Sequence, residues 1–248
     1  MALAYDPSIT YWSGQNIRPP LGSWFNGQSY WIKVHPELGN SNRSVMVVSM
    51  ILQFQYSDGP GGSWTTAEKT DFAHKFIWAV QAVWNEKHRL TTSSTVPVAA
   101  LRDVGITFDL RYYIDGWHTN DDFEIGVTKH PADAGWLVSV CSYSSGETTL
   151  DSNDLRPETK GASMKQRDAV HEFGHMLGLR DEYAAARSNV NHLSDLDSIM
   201  NVGEVVRPRH YAPFAAWMTE KSSTNARLTR STIEYKVNGT VDMSNAAL

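Results

Sequence analysis

Apolar residues recur at helical spacing after Thr65: Phe72, Phe76, Ile77, Val80, Val83 and Trp84 fall on one face. Thr65 followed by Glu68 fits a capping box, so the pattern predicts a helix over residues 65–90. Elsewhere the period is two. Ile106, Phe108, Leu110, Tyr112 and Ile114 alternate with polar residues, as a half-buried strand does. Residues 30–34, 45–56, 123–128 and 136–143 read as further strands, rich in β-branched and aromatic side chains. Asp58-Gly-Pro-Gly-Gly62 is a loop. Residues 144–165 are polar, carry Gly146, Pro157 and Gly161, and read as a long surface loop. A second helix is expected over residues 164–177, stopped by Gly178, which adopts the left-handed conformation cheaply. A third is expected over 211–221. Asn238-Gly239, flanked by residues 232–237 and 240–243, is a two-residue hairpin signal.

Residues 1–27 read as an irregular lead segment with Gly14, Pro19, Pro20, Gly22 and Gly27. Its aromatic residues Tyr11, Trp12, Trp24 and Phe25 would pin it to the main body. Residues 28–248 then form one α+β domain with a mixed sheet and a cleft after the second helix.

Composition narrows the classes. The chain has 248 residues, with 22 Lys and Arg against 27 Asp and Glu, a net charge of -5. Nucleic-acid binders show a basic excess or stripe, so none is expected as partner. The most apolar stretch, residues 45–52, is interrupted by Ser49 and is far short of the roughly 20 residues that cross a bilayer. The single cysteine, Cys141, excludes an intramolecular disulfide framework and a Cys-rich zinc module. The first residues lack the basic and apolar regions of a standard secretory signal. The protein is expected to stay in the cytoplasm where it is made, to leave by another route, or to be a processed form.

His171-Glu172-Phe173-Gly174-His175 matches H-E-x-x-H. On a helix, positions i and i+4 share a face, so both imidazoles can reach one metal, with Glu172 beside it as general base. Five residues alone also fit a surface helix with two solvated histidines. The run continues through Gly178 to Asp181, H-E-x-x-H-x-x-G-x-x-D, and Ser198-Ile199-Met200-Asn201 lies downstream.

At these residues the chain resembles the metzincin metalloproteases. The stretch 177–183 is most similar to the snapalysin-type branch, and also to HEFGH-containing metalloprotease domains of bacterial toxins and effectors. The resemblance covers about forty residues, 171–211; outside them only the element order agrees, a long backing helix and mixed sheet before an active-site helix and a smaller C-terminal subdomain. It implies one catalytic zinc ion held by His171, His175 and Asp181, Glu172 as base, and Met200 as the Met-turn methionine beneath the ligands. Glu182, next to Asp181, competes for the third-ligand role. A tyrosine that some relatives carry two residues after that methionine is replaced by Val202. Tyr211, His210 and Tyr183 are candidates for an oxyanion or substrate contact. Cys141 is expected to be a buried core cysteine, and nothing but its residue type marks Asp6 as a latency ligand. Residues 136–143 are expected to form the edge strand that pairs with an extended substrate. The acidic groups Asp121-Asp122 and residues 151–154 read as solvated loop residues.

Motif and resemblance together imply a zinc-dependent endopeptidase acting on a protein or peptide. The competing readings are a zinc-binding module without catalysis and a hydrolase of a cell-wall peptide. The resemblance further suggests a bacterial toxin or effector, with the lead segment docking to a secretion or injection machine or acting as an inhibitor. Target, cleavage preference and oligomeric state are not legible in the sequence.

Overall fold

The computed structural model describes residues 3–15, 30–118, 121–135, 137–142, 145–183, 192–224 and 233–240. Its centre is β3 (Asn40–Ser57), whose 18 residues suffice for several partners. One edge pairs in parallel with β5 (Asp103–Ile114). The other takes β2 (Trp31–Glu37) antiparallel along its first half and β6 (Phe123–Thr128) parallel along its second. Beyond β6 lie β8 (Glu147–Asp151), parallel, and β7 (Val140–Ser142), antiparallel, at the edge. Beyond β5 lie β4 (Arg89–Thr91) and β11 (Lys236–Val237). A separate short ribbon pairs β9 (Glu158–Thr159) with β10 (Lys165–Gln166). The described residues are thus mixed α and β, with a mixed sheet and three α-helices among them, which is compatible with an α+β domain.

Alternate residues of β3, Met46, Val48, Met50, Leu52 and Phe54, are buried on one face. Helix α1 (Thr66–Trp84) covers that face with Phe72, Phe76, Val80 and Trp84. Phe54 meets Phe72, Phe76 and Tyr112 edge to face. The capping box is present: Glu68 N–H donates to Thr65 Oγ1 at 3.2 Å, and Thr65 N–H donates to Glu68 at 2.8 Å. Among the described residues no helix is long and apolar enough to cross a membrane.

Several expectations are corrected. The first helix ends at Trp84, not at residue 90, because Asn85 turns extended and its side chain accepts from Phe108 N–H at 2.8 Å. The second helix, α2 (Asp168–Met176), starts four residues later than expected, after β10. The third, α3 (Ala212–Thr224), is preceded by a 3-10 turn, Pro208–Tyr211. The expected loop over 144–165 contains β8, in which Thr148 and Leu150 are buried between exposed Glu147 and Thr149. The lead segment is not wholly irregular: β1 (Trp12–Gln15) pairs antiparallel with β2. Tyr11 and Trp12 do pack on the core, whereas Trp24 and Phe25 lie outside the described residues. Asn238 and Gly239 both have positive φ, 47° and 82°, as the hairpin requires, and the second hairpin strand lies outside the described residues beyond Thr240.

Candidate metal centre

Helix α2 presents His171 and His175 on one face, their ring centroids 4.9 Å apart. Each Nδ1 meets a backbone carbonyl, that of Ile199 at 2.7 Å for His171 and that of Leu179 at 2.8 Å for His175. A carbonyl can only accept, so each Nδ1 carries a proton, and in the neutral imidazole Nε2 is the atom with a lone pair to offer a metal.

The helix stops where Gly178 takes φ 85°, with its N–H donating to His175 O at 2.8 Å. The chain turns back, and Asp181 Oδ1 arrives 3.3 Å from His171 Nε2 and 3.1 Å from His175 Nε2. That oxygen is buried with no hydrogen-bond partner, and so is Glu172 Oε2. His171, Glu172 and His175 also offer ligand atoms within 4.8 Å of one another. Nitrogen and carboxylate donors therefore converge on one point, an arrangement suited to a cation, whether a metal ion or a proton on an imidazole. The charges agree. Burial opposes a charged imidazole at His175, yet Asp181 and Glu172 outweigh it and raise its pKa. Burial also opposes charge on Asp181, but the two imidazoles hold its carboxyl well below the usual range. Burial pushes Glu172 upward, only partly offset by the histidines.

Beneath the helix, residues 198–203 form a tight turn, with the N–H groups of Asn201 and Gly203 donating to Ser198 O at 3.0 and 3.1 Å. Met200 is fully buried there. A Cβ at Gly174 would overlap Met200 Sδ and lie 3.2 Å from Trp84 Cζ2, so glycine permits the close approach of helix and turn.

The remaining candidates separate. Tyr183 lines a cleft of about 420 Å³ with His171, Glu172, Lys160, Val138 and Val202. Its ring is tilted 36° against His171, and burial and the nearby Asp181 carboxylate push its hydroxyl pKa upward. Tyr211 is a correction: it is fully buried, and its hydroxyl donates to Trp84 O, so it faces the core rather than the cleft. His210 is likewise buried, against Ser198 at 3.3 Å and Glu182 at 3.4 Å. Glu182 is not a third ligand, since its carboxylate is occupied by Arg209 at 2.8 Å on both oxygens. Cys141 lies on β7 as expected of a strand residue, but half-buried rather than fully; burial pushes its thiol up to about 12, which makes it a poor nucleophile. Asp6 accepts from Ser8 N–H and Oγ, capping its own turn. Of the strand expected over 136–143, Val140–Ser142 form the strand among the described residues; it is an edge strand, with Val140 exposed and with exposed Val138 lining the cleft. Asp122 is half-buried and accepts from Ile51 N–H at 2.8 Å, and Asp151 and Asp154 are buried, so these are not solvated loop acids.

Sequence reasoning missed Gln166. Its amide donates to the carbonyls of Ile199, Asn201 and Gly203 at 2.9, 3.0 and 2.8 Å, holding the turn that carries Met200. Nothing in its residue type or spacing marks it. Compared with known proteins, the chain matches no family model, no curated sequence and no solved structure.

Proposed function

We propose that this chain is a zinc-dependent endopeptidase of the metzincin kind. The observation that carries the reading is the convergence of the Nε2 atoms of His171 and His175 on one Asp181 oxygen beside buried Glu172, whose Oε2 has no hydrogen-bond partner. This donor set, two imidazoles and one carboxylate, fits zinc with a position left open. When bound, zinc would supply a Lewis acid that polarises the scissile carbonyl.

The chain's own groups do the rest. The Ile199 and Leu179 carbonyls fix the tautomers and ring planes of the two histidines. Glu172 takes a proton from the attacking water at Oε2 and passes it to the leaving amine. Its burial raises its pKa toward the range in which a base works near neutrality. The Tyr183 hydroxyl, at the cleft wall beside Asp181, is the remaining tyrosine candidate for steadying the developing oxyanion. β7 offers an edge, with Val138 and Val140 exposed, to which an extended peptide can add as a strand.

The test is cleavage of a mixed unfolded peptide library by zinc-loaded wild type and by Glu172→Ala, with cut sites read by mass spectrometry. Cuts are expected in the wild type and a loss of at least about 100-fold in the variant. Equal cutting by both would remove Glu172 from the mechanism. Tight zinc binding without cuts in either would favour a zinc-binding module.

A further inference from the structure

The segment after Gly178 must hold a carboxylate at the metal point without the support of a helix or strand. Asp181 meets the imidazoles of His171 and His175 and Tyr183 lines the cleft, whereas Glu182 between them is buried in the protein. Glu182 is completely buried. Arg209 grips it as a fork, Nε and Nη2 each at 2.8 Å from a carboxylate oxygen. Ser198 Oγ donates to the same carboxylate at 2.6 Å. The backbone of Glu182 is tied as well: its N–H donates to Met200 O at 2.7 Å, and its carbonyl accepts from Asn201 Nδ2 at 3.3 Å. Arg209 is balanced in turn by Asp195 at 2.6 Å, which also pairs with Arg207 at 2.6 Å. One residue thus joins the segment of Asp181 to the turn of Met200 and to the 3-10 turn of Arg209. The same Met200 turn provides the Ile199 carbonyl that orients His171.

We propose that Glu182 is a positioning residue for the metal site, acting through Arg209 to fix the Asp181 carboxylate and the Tyr183 ring. The inference rests on the metal-site reading above. A bidentate guanidinium–carboxylate pair sets direction as well as distance. A buried pair of this kind contributes little net stability, since desolvation offsets attraction, so its use here is geometric. Fixing Glu182 fixes its two neighbours along the chain.

The test measures zinc affinity by chelator competition and the visible absorption of the cobalt-substituted protein, which reports ligand geometry. The variants are Glu182→Gln, Arg209→Gln, the double variant, and Val104→Ala. Val104 is a buried residue of β5 that pairs with Leu90 of β4 and takes no part in the hydrogen bonds of the network, and its truncation is expected to lower the melting temperature. Glu182→Gln and Arg209→Gln are each expected to weaken zinc about 10- to 100-fold and to change the cobalt spectrum. The double variant should lose no more than either single one, because the two act as a unit. Val104→Ala should bind as the wild type does. If Glu182→Gln fails to fold, Arg209→Lys decides: it keeps the charge and loses the fork, and weakened zinc is again expected. Wild-type affinity and spectrum in the folded Glu182 or Arg209 variants would overturn the inference. So would an equal loss in Val104→Ala, or additive losses in the double variant. Failure of the wild type itself to bind zinc would overturn the metal-site reading, and this inference with it.

Discussion

Asp154 is only 3% exposed, and its carboxylate accepts from Ser139 Oγ at 2.6 Å and from Asp151 N–H at 2.7 Å. Burial pushes its pKa from 3.8 to about 7, with Asp151 and Asp168 adding to the rise and the two hydrogen bonds opposing it. The folded protein therefore holds a proton that the unfolded chain releases. This favours the fold below about pH 4, and the contribution is lost as pH rises to about 7. Asp154→Asn keeps an acceptor oxygen and cannot ionise. Thermal melts from pH 4 to 8 are expected to show the variant gaining on the wild type up to pH 7 and level beyond, by on the order of 1–3 kcal/mol. A difference independent of pH would refute the assignment. Single residues are legible from sequence where chemistry depends on local spacing, as for His171, Glu172, His175 and Asp181. They are illegible where a distant partner decides. Arg209, 27 positions away, takes Glu182 out of contention as a ligand. Trp84 claims the Tyr211 hydroxyl. Asp154 reads as a solvated acid until its carbonyl is seen accepting from Ala169 N–H at 3.2 Å, at the start of the site helix.

At the scale of elements, α2 and the turn beneath it meet at the one position without a side chain. Methionine is flexible, but Met200 is fully buried, and a Cβ at Gly174 would meet both its Sδ and its Cε. Gly174→Ala gains roughly 1 kcal/mol of helix propensity and loses roughly 1–3 kcal/mol to overpacking. The net expectation is a lower melting temperature. Met200→Ala alone should cost about 2–5 kcal/mol through a cavity. The double variant should be more stable than the sum of the two predicts, because the added methyl enters the vacated space. Strict additivity in melts of all four proteins would show that helix and turn do not meet here. Element starts are readable where the signal is in the chain, as with Thr65 and Glu68. The end of α1 is not, because Asn85 leaves the helix to bond Phe108, a partner 23 positions on. β8 hides for another reason: its inward residues are one threonine and one leucine, too few for hydrophobic alternation to stand out.

For the whole molecule, the mixed sheet and the helix order agree with the α+β reading, but the strand neighbours are not set by chain order. β3 pairs with β5 and β6 across intervening elements, and β1 joins through β2. Those choices depend on how α1 crosses the sheet and on which faces remain to be covered. The candidate centre likewise assembles three separate stretches: α2, residues 181–183 and the turn at 198–203. No one of them fixes the other two, so a bound ion would stabilise the folded protein as a whole. At free zinc 100-fold above its dissociation constant, binding only to the folded state contributes about 2.7 kcal/mol. For a chain of this size that corresponds to a melting temperature higher by roughly 5–10 °C. Zinc should raise the melting temperature of metal-free wild type by that amount, and a chelator should reverse it. Glu172→Gln should keep most of the shift, because the role proposed for Glu172 is to carry the proton rather than to hold the ion. Asp181→Ala should lose most of it, because it removes one of the three proposed ligands. If all three proteins melt alike with and without zinc, the three stretches are held together by Glu182, Gln166 and the core alone, and the site binds no zinc.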